Sequence, residues 1–157
     1  MSEFELRSPA FEDGGVIPRQ YGYHERNVNP PLVVEGVTPE TVSLAFVVED
    51  PDAVAPAGKV WDHWVVWNVA PAETDTRLDI PEDWDPASAG GQAGTNDYGE
   101  RGYGGPNPPD REHTYLFRAY ALDTTLGLSP SATKEELEDA VGGHVLETAT
   151  LRGRYAP

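Results

Sequence analysis

The strongest pattern of apolar and polar positions lies between Ser43 and Pro71, where two apolar runs flank a loop containing Pro56 and Gly58. In the first run Leu44, Phe46, Val48 and Asp50 share one face under the two-residue period of a strand, and Ala45, Val47 and Glu49 share the other. In the second, Trp61, His63, Val65, Trp67 and Val69 alternate with Asp62, Trp64, Val66 and Asn68. Both faces are largely apolar in each run, which predicts central strands covered on two sides. A short connection between antiparallel neighbours would bring Asp50, where the first strand stops, beside His63, where the second begins. A carboxylate and an imidazole are therefore expected in one patch at the sheet's edge.

The rest of the chain is read against these two strands. His113–Leu122 alternates His113, Tyr115, Phe117, Ala119 and Ala121 on one face and predicts a third strand, again with a histidine at its start. Phe4 and Leu6 suggest an edge strand, interrupted by Gly14, Gly15 and Pro18. Pro30 and Pro31 forbid helix ahead of a short strand at Leu32–Glu35. From Ala72 to Pro109 no period is visible. Trp84, Tyr98 and Tyr103 can anchor this stretch, and Gly104, Gly105 and Pro106 allow close backbone approach, so a packed loop walling a site is expected. Near the C-terminus Thr133 stands three residues before Glu136, a capping-box spacing, and Leu137, Ala140 and Val141 form a helical stripe that Gly142 and Gly143 end. A second short helix is expected at His144–Leu151. No repeat or linker interrupts residues 1–157, which predict a single domain.

Composition narrows the chemistry. The chain has 157 residues, enough for a core without metal or disulfide support, and no cysteine, which excludes disulfides, thiol catalysis and thiolate zinc sites. The N-terminal MSEFELRSPAFEDGG lacks a basic region followed by an apolar one, and no window approaches a membrane span of roughly 20 apolar residues. A cytoplasmic protein with no integral membrane association is the expectation. Twenty-seven acids oppose 11 basic residues, for a formal net charge of −16, and Lys59 and Lys134 are the only lysines. The acids are dispersed rather than gathered in a tail, which suits a surface adapted to molar salt and predicts a halophilic source. Such a surface offers no cationic stripe for phosphates, so nucleic acid is excluded as a partner.

Taken in order, NVNPPL (27–32), SLAFVVEDPD (43–52), HWVVWN (63–68), GYGGPNPP (102–109), HTYLFRAYALD (113–123), GHVL (143–146) and GRY (153–155) resemble the phosphatidylethanolamine-binding protein family, specifically its bacterial and archaeal Raf kinase inhibitor-like branch. The resemblance covers nearly the whole chain. It implies a mostly β fold, an antiparallel Greek-key β-sandwich with a few short peripheral and C-terminal helices. It also implies a small pocket for phosphate or a phospholipid head group, lined by Asp50, Asp52, His63, Pro106, Pro108, His113 and Tyr115, with Gly105 offering backbone N–H. Two departures stand out: Val54 and Ala55 separate Ala53 from Pro56, where the family usually runs Asp Pro Asp Ala Pro, and Thr114 replaces the arginine of a usual His Arg Tyr.

Three chemistries compete at such a patch. Imidazole and carboxylate ligands suit zinc, manganese or iron, yet no HxH or HExxH spacing supports a cluster, and no cofactor or metal is expected. A hydrolase would use Asp50 to orient His63 as a base, but no nucleophile sits in a GxSxG turn. Anion binding gives each group a role: the carboxylate would favour a protonated ring whose other nitrogen donates to a phosphate oxygen. A small-anion or head-group binding module is therefore expected, not an enzyme, with no catalytic residue. The runner-up is a regulator of a protein partner such as a kinase or protease, as monomer or homodimer. His24 and His144 are expected to be surface or packing residues.

Overall fold

The computed structural model describes residues 3–72 and 76–157; the beginning of the aperiodic stretch at 73–75 lies outside them. In chain order the strands are β1 (Glu5–Arg7), β2 (Gly15–Val16), β3 (Leu32–Glu35), β4 (Ser43–Asp50), β5 (Trp61–Val69), β6 (Leu78–Ile80), β7 (Gln92–Ala93), β8 (His113–Leu122) and β9 (Val145–Tyr155). Two helices accompany them, α1 (Val54–Ala57) and α2 (Lys134–Val141). The molecule is mostly β. One sheet has the order β1–β3–β6, and the other runs β2–β9–β8–β4–β5–β7, antiparallel throughout except for the β2–β9 pair.

β4 and β5 pair as the alternation predicts, with Asp50 opposite Trp61, and every residue of β4 is buried. One face of these strands carries Phe46, Val48, Trp64 and Val66, which join Leu6, Leu32, Val34 and Ile80 of the three-stranded sheet in one core cluster. The other carries Ala45, Val47, Val65 and Trp67, covered by Leu137 and Val141 of α2. Burial on both faces is thus what makes the sequence apolar at consecutive positions.

Helix α2 begins where the spacing places it: the Thr133 side chain accepts from the Glu136 backbone N–H, and the Glu136 side chain accepts from the Thr133 N–H. Its first residue, Lys134, reaches Glu49 Oε2 at 2.7 Å and Asp62 Oδ1 at 2.8 Å, while Arg118 reaches Glu49 Oε1 at 2.6 Å. Burial alone would lower the Lys134 pKa, but the hydrogen bonds to Asp62 and Glu49 outweigh it and raise the value.

One expected element is replaced. His144–Leu151 is not a helix; Val145–Tyr155 is a strand of 11 residues that pairs antiparallel with β8 along nearly its whole length. The β-branched Val145, Thr148 and Thr150 suit a strand, and the long β8 supplies hydrogen-bond partners that a helix would forgo. The aperiodic stretch holds β6 and β7, of three and two residues, and a 3-10 turn at Pro86–Ala89, all too short to show a period.

Candidate functional site

The end of β4, the starts of β5 and β8, α1 and the segment Tyr98–Pro109 enclose a cavity of about 220 Å³. Asp50, His63, Pro108, His113 and Tyr115 line it, together with Ala53, Pro56, Ala57, Trp61, Tyr98, Asn107 and Pro109. Five of the eight residues expected from the sequence therefore share the cavity. Asp52, Gly105 and Pro106 stand behind it as framework.

Their framework roles are explicit. Asp52 Oδ2 accepts from the Thr114 N–H at 2.9 Å, tying the turn after β4 to the start of β8, and its other oxygen lies 3.5 Å from Arg111. Gly104 donates its N–H to His63 O, and Gly105 donates to Asn27 Oδ1 at 2.7 Å, so neither N–H is available to a ligand. A Cβ on Gly105 would stand 2.2 Å from Tyr21 O, which explains why glycine is required there. Pro106 O accepts from the Tyr23 N–H. Tyr98 stacks on Tyr23 with ring centroids 3.9 Å apart and donates to Gly105 O, completing the wall.

The expected partnership of Asp50 with His63 is not the one formed. Asp50 Oδ2 lies 2.5 Å from His113 Nδ1, and His113 Nε2 lies 2.7 Å from Asp110 Oδ1. The reason is topological: β4 sits between β5 and β8, and Asp50 turns toward the strand that is distant in sequence. Two carboxylates facing both nitrogens of one ring require a shared proton, carried either as imidazolium or on a carboxyl group. Burial pushes Asp50 up, and the hydrogen bond from His113 holds it back, which fits that sharing. With both nitrogens engaged, His113 orients Asp50 rather than offering a donor to the cavity.

His63 also departs from the expected imidazolium. Its Nδ1 lies 2.7 Å from Gly104 O, and a carbonyl only accepts, so Nδ1 carries the hydrogen and Nε2 is left as an acceptor. Burial drives the His63 pKa down to about 4, against upward pulls from the Gly104 and Gly105 carbonyls and Asp97, so the ring is neutral at pH 7. The free donors come from elsewhere. The Tyr115 hydroxyl is fully buried with no partner at good hydrogen-bond geometry, but it interacts with the Asp50 carboxyl and the Asn107 backbone; its pKa is raised by burial and then by the Asp50 charge. Trp61 Nε1–H, on the same wall, also has no partner. Among the described residues no arginine or lysine lines the cavity.

The two sequence departures have structural counterparts. The inserted Val54 and Ala55 form α1, whose Pro56 and Ala57 wall the cavity. Thr114 replaces a cation beside the site and serves through its backbone. Trp61 and Asn107 were not anticipated as lining residues: Trp61 reads as core strand, and Asn107 as a loop residue between prolines. His144 pairs with Asp123 at the surface; exposed His24 lies 3.3 Å from the side chain of the lining residue Asn107 without itself lining the cavity. Among the described residues no group of three or more His, Asp or Glu is placed to hold a metal ion, and no helix is long and apolar enough to cross a membrane.

The two-sheet β fold of this chain recurs in solved structures. A phosphatidylethanolamine-binding protein homologue from Chlamydia trachomatis is similar with a TM-score of 0.86 at 38% identity, covering 99% of this chain and 98% of its own. YbcL from E. coli, described as a new member of the mammalian PEBP family, matches with a TM-score of 0.85 at 29% identity over 98% of both chains. A protein from Methanothermobacter thermautotrophicus named UPF0098 protein is 45% identical over 150 residues, 96% of this chain and 97% of its own, and a UPF0098 protein of Pyrococcus abyssi is 41% identical over 151 residues. The model of the phosphatidylethanolamine-binding protein family matches residues 7–156, and the chain belongs to that family.

Proposed function

We propose that this protein is a binding module for a small oxyanion, either phosphate or the phosphoryl end of a head group, held in the cavity between Asp50, His63 and Tyr115. The observation that carries the reading is the Tyr115 hydroxyl, a fully buried donor with no partner at good hydrogen-bond geometry on the wall of a cavity able to admit a small ligand. A buried polar group left unpaired costs about 1–3 kcal/mol, so a ligand oxygen that accepts from it recovers energy the free protein forgoes. The names of the family and of the relatives' class, phosphatidylethanolamine-binding, point the same way. The acidic surface extends the proposal to a protein that works in concentrated salt.

Binding to the native state alone raises stability by RT ln(1 + [L]/Kd), about 2.7 kcal/mol at a hundredfold excess over Kd. Phosphate or phosphoethanolamine, added at matched ionic strength in KCl, is expected to raise the melting temperature. Tyr115→Phe removes a hydroxyl with no partner at good hydrogen-bond geometry, so it should shrink the ligand-induced shift by more than it changes the unliganded melting temperature. Absence of any shift with either compound contradicts the reading.

A further inference from the structure

The loop that walls the cavity is held in two different ways. Up to Gly105 its main chain is bonded down: Gly102 N–H donates to Gly94 O, Gly104 N–H to His63 O and Gly105 N–H to the Asn27 side chain. Past Pro106, whose carbonyl accepts from the Tyr23 N–H, residues 107–112 make no main-chain to main-chain hydrogen bond among the described residues, and Pro108 and Pro109 have no N–H to offer. Yet Asn107, Pro108 and Pro109 line the cavity. They are fastened mainly through side chains. Asp110 Oδ1 meets His113 Nε2 at 2.7 Å, Glu112 meets Arg154 at 3.2 Å, Asn107 meets His24 at 3.3 Å and Arg111 reaches Asp52 only at 3.5 Å, while the Asn107 backbone interacts with the Tyr115 hydroxyl. The closest of these fastenings is the one to the buried ring that Asp50 holds from its other side.

We propose that residues 107–110 form a strap over the cavity, latched by the proton that His113 shares with Asp50 and Asp110, and that loss of this proton to solvent releases the strap. One shared proton plus the ring's own N–H serves two carboxylates; the ring's own N–H alone serves one and leaves a lone pair facing the other. That count is the same whether the shared proton resides on the ring or on a carboxyl group. A lone pair against a carboxylate at this distance is repulsive, so one carboxylate must withdraw. Asp50 cannot, because its side chain is 4% exposed at the end of a central strand. Asp110 can, because its side chain is 37% exposed and the segment carrying it lacks main-chain bonds. Desolvation would raise the Asp110 carboxyl, but the hydrogen bond from His113 outweighs it and holds the group below its usual value, so Asp110 is ionised at neutral pH. Its withdrawal draws Pro108 and Pro109 off the cavity. The device governs access to the cavity and does not depend on which ligand enters.

Titratable and charged groups surround His113 on every side. Asp50 and Asp52 face it from β4 and the turn that follows, His63 from β5, Tyr115 from β8 itself, and Tyr155 lies opposite it on β9. Tyr98 closes the far wall, and the strap brings Asp110, Arg111 and Glu112, with Arg154 behind Glu112. Burial keeps His63 neutral above about pH 4 and raises Tyr98, Tyr115 and Tyr155. No other imidazole or phenol around the ring therefore changes charge between about pH 5 and about pH 9, and the latch alone carries the transition.

The test is nuclear magnetic resonance of the whole ¹⁵N-labelled chain in KCl without added ligand, from about pH 5 to about pH 9. The ring nitrogen shifts of His113 report the proton, and the exchange rate of the Trp61 indole N–H, which lines the cavity without a partner, reports opening once the intrinsic pH dependence of exchange is divided out. Protection of that N–H is expected to fall at least about tenfold over the same interval in which the His113 ring signals change. In Asp110→Ala protection should be low at every pH. In Asp110→Asn, whose amide can donate to a lone pair or accept from an N–H, it should stay high and lose its pH dependence. Protection in Asp110→Ala that matches the parent at every pH overturns the proposal. So does protection that holds in the parent while the His113 signals change, and so do His113 signals that never change while the chain stays folded. All three overturning results leave the oxyanion reading untouched, because no ligand is present.

Discussion

At the level of single residues, His63 and His113 are two buried imidazoles with opposite assignments. One gives up a proton to sit neutral against a carbonyl; the other shares a proton with two carboxylates. The neutral ring has a measurable consequence for stability. His63 ionises near 6.5 in the unfolded chain and near 4 in the folded one, so between those values the unfolded state binds the extra proton and stability is lost as pH falls from about 6.5 toward 4. At about 1.4 kcal/mol for each pH unit separating the two values, the loss is on the order of 3 kcal/mol. Asp50, raised by burial, contributes in the opposite sense and blunts the slope. Chemical denaturation across this range should show stability falling toward acid in the native chain and a flatter profile in His63→Gln. An unchanged slope in that variant would mean that the ring is not the titrating group.

Among the elements, β4, β5, β8 and α2 are legible in the sequence because each carries its own signal: alternation over eight or more residues, or a cap and an apolar stripe. β9 is not, because Val145 and Leu146 are exposed and Ala149 only partly buried, so its strand character comes from pairing with β8 rather than from an apolar face. The same non-locality hid the Asp50–His113 pair. Adjacent positions in a hairpin pointed Asp50 toward His63, whereas the sheet order places β8 on its other side. Loop geometry explains why Asp52, Gly105 and Pro106 read as site residues yet serve as framework: the family motif marks residues that shape the cavity as well as those that face it. Gly105→Ala tests this. With its Cβ only 2.2 Å from Tyr21 O, the backbone must move, and a loss of about 1–3 kcal/mol is expected in urea unfolding, together with weaker ligand binding. Full stability in that variant would show that the segment yields freely. Lys134→Met tests the attachment of α2: it strands Glu49 and Asp62 beneath the helix and should cost on the order of 3 kcal/mol, discounted by the compensation Arg118 still gives Glu49. A variant as stable as the parent would show that apolar packing alone holds the helix.

For the molecule as a whole, the net charge of −16 makes self-repulsion, and its screening by salt, the dominant long-range effect. At about 0.1 M salt the Debye length is about 10 Å and the carboxylates repel one another and any approaching anion; at about 1 M it is about 3 Å, and local donors decide the outcome. Circular dichroism melts should therefore show the midpoint rising from dilute buffer to molar KCl, and a midpoint indifferent to salt would remove the high-salt proposal. The central claim is that an oxyanion seats between Tyr115, His63 and Asp50, and a crystal structure of the protein grown or soaked with phosphate in KCl tests it most directly. The account predicts tetrahedral density in the cavity, with one oxygen within hydrogen-bonding distance of the Tyr115 hydroxyl and another near His63 Nε2 or Asp50. Phosphate held only at surface arginines such as Arg152 and Arg154, with the cavity filled by water alone, would contradict it.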